Sequence, residues 1–270
     1  MWLQETTTSE RRTLTATFTG YAVDGFDYMI YTFLIPTLLA AWSMSKAEAG
    51  YIATGALLTS AIGGWAAGVL ADRYGRVRVL QWTVLWFALF TFLSGFTTSF
   101  GELFFTRAMQ GFGMGGEWAV GSVLIAETIS ARHRGKASGL VQSSWAVGWA
   151  ASALAFWGVY AVLPPETAWK VLFWIGVLPA LLTLYIRRAI SEPEVFLATQ
   201  ARLRESGQRG NFLRIFHRDL LRTTLLASLL ATGMQGAYYS VTTWLPTFLK
   251  TERHLSVLGT STYLLVLIGG

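Results

Sequence analysis

Four charged residues stand inside stretches that are otherwise apolar, and their types and spacing point to proton or anion chemistry. Asp24 and Asp27 are three residues apart, so on a helix they share one face. A charged side chain near the centre of a bilayer costs about 2.5–3.5 kcal/mol on insertion scales. That cost is tolerable where the face lines a watery cavity or a carboxyl carries a proton. Two carboxyls this close repel as anions, which favours holding a proton on one of them. A carboxyl that gains and loses a proton near the operating pH is a workable proton carrier. The alternative for Asp24 is a cap at a helix break beside Gly25, and for both acids a position near the membrane surface. Arg107 is the single arginine inside an apolar stretch rather than at its end. Its guanidinium stays charged and presents a planar fork matched to carboxylate. Three readings of it are open. It binds a carboxylate of the cargo, it pairs with Asp27 or Glu117 and is released as a proton binds, or it reaches to the outer interface. Glu117 lies ten residues further along and is either a third proton group or half of an internal ion pair. Around these charges, Tyr28, Tyr31, Gln110, Gln142, Trp145, Trp149, Gln235, Tyr238 and Tyr239 are the candidate cavity lining. Aromatic and amide groups together suit an anion with an organic body.

The elements that must position these residues are set by composition. The chain has 270 residues, no Cys, 53% hydrophobic residues and only 13% charged ones. Its mean hydropathy is +0.45. A soluble domain carries about a quarter charged residues, and the charges here are gathered into short islands between long apolar stretches. Crossing the roughly 30 Å hydrocarbon core takes about 20 apolar residues as a helix. Seven stretches qualify: Leu14–Ala41, Gly50–Leu70, Val79–Phe96, Glu102–Ala126, Ser138–Val162, Trp169–Arg187 and Leu220–Leu249. An eighth begins near Thr260 and has too few residues to cross, so the expectation is the N-terminal part of a longer protein. The order expected is a polar tail over 1–13, a six-helix membrane unit over 14–188, a basic loop over 189–219 and the start of a second unit over 220–270. Pro36, Pro179 and Pro246 fall in or near spans and can kink them. His133, His217 and His254 fall between spans, which favours solvated positions.

Orientation follows from Lys and Arg. Sixteen of them, including Arg11, Arg12, Arg73, Arg76, Arg78, Arg132, Arg134, Lys136 and those from Arg187 to Arg222, fall on one side. Lys46, Lys170, Lys250 and Arg253 fall on the other. This bias puts the N-terminus and the central loop in the cytoplasm. The same enrichment accounts for the net charge of +6 without nucleic acid as a partner. No nucleophile–base pair, metal-ligand cluster or phosphate loop is present in the sequence, which argues against an enzyme, a metal site and a cofactor.

Several motifs carry a family resemblance. Gly68-Val-Leu-Ala-Asp72-Arg73-Tyr-Gly75-Arg76 resembles the signature after the second span of the major facilitator superfamily. Gly68 permits close packing, Gly75 a sharp turn, and Asp72 a charge latch. Arg107-Ala-Met-Gln110-Gly111-Phe-Gly113 resembles the family's fourth-span motif, and Glu127 with Arg134-Gly135 the pattern at that helix end. The resemblance implies a cytoplasmic gate of Gly68, Asp72, Arg73, Gly75, Arg76, Glu127 and Arg134, with Glu127 paired to Arg73, Arg76 or Arg134. Ser191-Glu192-Pro193-Glu194 loosely resembles the segment after span six of sugar porters. The partial match Gln235-Gly236-Ala-Tyr238-Tyr239 lacks the asparagine of their seventh span. Asp24-Gly25-Phe26-Asp27 resembles the first helix of organic-anion symporters, in the sialate/lactate and aromatic-acid groups. What this implies is an all-α major-facilitator fold with its N-terminal half and the start of its C-terminal half. It also implies a monomer in the cytoplasmic inner membrane, and symport of a small carboxylate with protons by alternating access. A sugar or polyol porter of the same superfamily, and a truncated or sensor form that does not transport, are the alternatives.

Overall fold

The computed structural model describes residues 2–178, 181, 188, 190–206 and 215–269. Pro179, Arg187, Arg209 and Arg214 lie outside the described residues. After a 3-10 turn at Trp2–Gln4, the described helices are α1 (Thr8–Trp42), α2 (Lys46–Tyr74), α3 (Arg76–Ser94), α4 (Phe100–Thr128), α5 (Arg134–Val162) and α6 (Pro165–Ile175). Beyond them come α7 (Glu194–Ser206), α8 (Arg218–Thr251) and α9 (Val257–Gly269).

Local signals start these helices. Thr7 and Glu10 form a capping box at α1, and Ser45 and Glu48 another at α2, each satisfying backbone N–H groups that the first turn leaves unpaired. Helix α1 therefore begins at Thr8, ahead of the apolar stretch. Glu10 also accepts a hydrogen bond from the Ser130 N–H at 2.9 Å, tying α1 to the end of α4. These backbone N–H groups of Thr7 and Ser130 hold the Glu10 carboxyl below its usual range. Trp2 lies beside His133, with ring centroids 5.8 Å apart, and Glu5 meets His133 Nε2 at 3.1 Å. His133 is buried rather than solvated, because the N-terminal turn folds over it.

By length and composition, α2, α3 and α5 are the helices apolar enough to cross a membrane among the described residues. Helices α1 and α4 are at least as long but turn their polar residues inward: Asp24, Asp27, Arg107, Gln110 and Glu117 are all buried. Large apolar residues such as Leu58, Ile62, Leu85, Leu89 and Leu154 point outward. This inverts the soluble arrangement and matches a lipid surround.

Helix α4 packs most extensively on α2 and α3, and α1 on α5. Glycine makes the α2–α4 contact possible. A Cβ at Gly111 would overlap the Ala56 carbonyl, and one at Gly115 the Ser60 carbonyl, so the two backbones touch directly. A Cβ at Gly68 would meet nothing within 4 Å. The close packing expected there belongs instead to the α4 glycines. Helix α8 is buried unevenly. Its buried residues are Thr242, Thr243, Pro246, Thr247 and Leu249, while Leu225, Leu229, Leu230 and Met234 are exposed. The Tyr238–Leu249 portion of α8 thus lies over the bundle, where Thr243 meets Tyr28 and Tyr238 meets Trp145.

Candidate functional site

Between α1 and α4 lies a buried ion pair. Arg107 Nη1 donates to Asp27 Oδ2 at 2.8 Å, and both side chains are 1% exposed. Arg107 Nη2 reaches the Asp27 carbonyl at 3.5 Å. The guanidinium carbon lies 5.5 Å from the Tyr31 ring centroid and 5.6 Å from that of Phe173, so two aromatic faces enclose the cation. Tyr31 is itself fixed by donating its hydroxyl to the Ala49 carbonyl at 2.8 Å. Of the three readings of Arg107, this geometry has it buried and paired with Asp27. Asp24 is fully buried one turn from Asp27, Gln110 is fully buried one turn from Arg107, and Glu117 is 2% exposed.

Beside the ion pair is an aromatic cluster shared by four helices. Tyr28 of α1 lies 4.9 Å from Tyr239 of α8 and 6.0 Å from Trp145 of α5, ring centroid to ring centroid. Trp145 Nε1 donates to Tyr238 Oη at 2.8 Å. Trp118 of α4 meets Trp145 edge-on at 5.5 Å and stacks on Tyr21 at 4.8 Å. Tyr28 Oη lies 3.3 Å from Thr243 Oγ1. Trp149 is buried one turn along α5 from Trp145. The structure therefore gathers Asp27, Arg107 and Tyr31 into one group, and Tyr28, Trp145, Tyr238 and Tyr239 into an adjoining one. Gln142 and Gln235 are exposed and join neither. Trp118, Phe173 and Thr243 were absent from the sequence-level set. Of these, Trp118 alone has a sequence signal, its place directly after Glu117.

At the opposite end of α4 a second charged cluster forms. Arg76 donates to both carboxylate oxygens of Glu127, at 3.0 and 3.1 Å, and pairs with Asp72 one turn back. Burial works against the Arg76 charge, but the Glu127 and Asp72 carboxylates outweigh it and hold the guanidinium above its usual range. Among the three arginines considered for Glu127, Arg76 is the partner. Arg73 lies over the Tyr74 ring at 5.2 Å and Arg134 is exposed. Gly75 has φ +107°, the left-handed backbone that makes the turn between α2 and α3. Glu192 caps α3, accepting hydrogen bonds from the N–H groups of Arg76 at 2.7 Å and Val77 at 3.0 Å. Phe196 of α7 lies 4.9 Å beneath the Arg76 guanidinium.

The family model of the Major Facilitator Superfamily matches residues 17–270. The chain belongs to the major facilitator superfamily. It is a multi-pass membrane protein of a transporter family rather than an enzyme. A probable 4-methylmuconolactone transporter of Cupriavidus pinatubonensis is 44% identical over 250 residues, covering 92% of this chain and 58% of that protein. The cis,cis-muconate transport protein of Acinetobacter baylyi is 31% identical over 242 residues, covering 87% and 57%. The chain thus spans less than two thirds of the length of these relatives. Among solved structures, the partially occluded inward-open form of the xylose transporter XylE from E. coli superimposes with a TM-score of 0.71. It is 17% identical and covers 97% of this chain and 71% of that one; at that identity it shares the fold alone.

Proposed function

We propose that this protein imports a small organic acid together with protons by alternating access. The N-terminus and central loop face the cytoplasm, and the protein works as a monomer in the inner membrane. The observation that carries the reading is the buried Asp27–Arg107 pair. A proton arriving on Asp27 cancels the charge that holds Arg107 and frees its fork for a carboxylate of the cargo. Asp24 and Glu117, buried on the same two helices, are the further candidates for proton coupling. The rings of Tyr28, Trp145, Tyr238 and Tyr239 receive the organic body. Relatives named for transport of a muconolactone and of cis,cis-muconate support an unsaturated organic acid as the cargo. The Asp72–Arg76–Glu127 cluster serves as the cytoplasmic gate, with Gly75 making its turn. The test is external pH in lightly buffered cells producing the full coding sequence, with carboxylates and sugars added one at a time. Alkalinisation with one acid, lost in Asp27→Asn, supports the reading. A flat trace for every acid, with uptake of a labelled sugar, overturns it in favour of a sugar porter.

A further inference from the structure

At the end of the bundle opposite the Arg76–Glu127 latch lie Lys46, Lys170, Lys250 and Arg253. Three of these are engaged. Lys46 Nζ meets Glu252 Oε1 at 3.4 Å. Lys170 Nζ lies 5.5 Å from the Trp169 ring centroid, and the Arg253 guanidinium carbon 5.6 Å from that of Phe248. Lys250 of α8 is half-buried, yet it makes no ion pair, hydrogen bond or ring contact among the described residues. Three carboxylates at this end are committed elsewhere. Glu252 holds Lys46, while Glu48 and Glu102 accept from the backbone N–H groups of Ser45 and Thr98. A lysine in a last turn gains from the carbonyls of the helix end wherever its amine points, so that gain does not account for the burial. Half-burying an amine without a counter-charge is unfavourable, and an anion arriving there would relieve it.

The position of Lys250 on α8 says what that anion would meet. Tyr239, Thr243, Thr247 and Lys250 are spaced four, four and three residues apart, so they lie along one face of the helix. That face is the one laid over the bundle. Lys250 is about 16 Å along it from Tyr239 at the rise of an α-helix. Side chains on a helix lean toward its N-terminus, which directs Lys250 back along the face toward Thr247. Thr247 is 3% exposed, and its Oγ1 has no hydrogen-bond partner among the described residues. Helical hydroxyls commonly bond a carbonyl of their own helix, as Thr242 and Thr251 do on α8. Thr247 does not. Helix α9, which packs on α5 and α8, repeats the pattern. Thr260 and Ser261 are both 2% exposed, and both hydroxyls are buried without a partner. They stand three and four residues into α9, and Thr247 stands four residues from the end of α8. All three hydroxyls are thus about 5–6 Å in from the helix ends. One amine and three buried hydroxyls without partners, at a similar depth on two neighbouring helices, are a donor set suited to a carboxylate.

We propose that Lys250 and Thr247 of α8, with Thr260 and Ser261 of α9, form an outer carboxylate site that the cargo occupies before it reaches Arg107. The inference rests on the reading of the cargo as an organic acid and of this end as the outer one. Its test is the initial rate of uptake against concentration, in cells producing the full coding sequence. The probe is the labelled carboxylate that alkalinises the medium in the preceding experiment. Lys250→Met keeps the length of the side chain and removes the charge, and Lys250→Arg keeps the charge. The methionine variant should raise KM about tenfold, the worth of a charge-assisted hydrogen bond, with the maximal rate within about twofold of the parent. Thr247→Val should raise KM about two- to fivefold, as the loss of a neutral hydrogen bond does. Lys250→Arg should stay within about twofold of the parent. A purely structural role would lower the maximal rate and leave KM fixed; that result overturns the inference, as does an arginine variant shifted as far as the methionine one. If Lys250→Met does not reach the membrane, an unchanged KM in Thr247→Val overturns it instead. An acid taken up with the same KM by parent and methionine variant removes the outer site and leaves the proposed function standing. Uptake of a labelled sugar with no response to any acid removes both.

Discussion

Replacing Asp27 by asparagine changes almost no volume and removes one charge, so its effect isolates the worth of the buried pair. Arg107 is 1% exposed and cannot shed its proton. Asparagine can still accept from Nη1 through its amide oxygen, and the Tyr31 and Phe173 rings remain, but neither cancels a full charge. Stranding one member of a buried pair costs about 3–5 kcal/mol. For a chain of this size that corresponds to a loss of roughly 6–20 °C in Tm. Arg107→Met strands the carboxylate instead, and a carboxylate escapes by taking a proton. The double variant Asp27→Asn/Arg107→Met strands neither charge and recovers most of the loss, because apolar replacement of a buried pair is often close to neutral. Unfolding followed by the fluorescence of the 12 tryptophans in mild detergent measures all four proteins. The reasoning is refuted if Asp27→Asn melts within about 2 °C of the parent, a difference worth less than about 1 kcal/mol. A double variant no more stable than Asp27→Asn refutes it equally.

Two further outcomes follow from the packing and the charges. Gly115→Val drives a side chain into the Ser60 carbonyl and should cost about 3 kcal/mol or more. Gly68→Ala, facing open space, should leave Tm unchanged or slightly raised; the folded fraction on gel filtration compares the two. Glu10→Gln should cost about 1–2 kcal/mol at pH 7, since it weakens the bonds from Thr7 and Ser130. Because the Glu10 carboxyl is held below its usual 4.5, its contribution is complete above that pH and disappears as pH falls through the lowered value. The melting curves of parent and variant should converge in strong acid, and a gap that persists there would exclude a charged Glu10 as its source.

The helices were legible because lipid-facing stretches have to be long and apolar, and the charges at Asp24, Asp27, Arg107 and Glu117 stand out against such a background. Their burial followed from the same contrast. What the sequence did not disclose were contacts made by common residue types. Thr243 looks like any helical threonine, and only the geometry shows its hydroxyl beside that of Tyr28 on another helix. Glu192 was visible as part of a loose motif, yet its task of capping α3 depends on α7 folding back beneath Arg76. Gly68 was credited with close packing because it opens a known signature, whereas the backbone contact falls at Gly111 and Gly115. The early start of α1 was written in Thr7 and Glu10, a capping pair that apolar counting alone passes over. His133 was read as solvated because the short turn of Trp2 over it depends on the N-terminus folding back.

Helix α4 carries the Arg107 end of the ion pair and the Glu127 end of the latch, about 30 Å apart at the rise of an α-helix. Its Gly111 and Gly115 seat it backbone to backbone on α2 at those two positions, where no side chain intervenes to absorb displacement. The helix thus behaves as a lever arm on a firm seat. Pivoted at Gly111 and Gly115, a tilt of about 10° moves the Glu127 end by about 3–4 Å and the Arg107 end by about 1–2 Å the other way, enough to stretch the 2.8 Å contact with Asp27 out of hydrogen-bond range. Opening one end and loosening the other are then a single mechanical event, with no need for a chain of side-chain rearrangements between them.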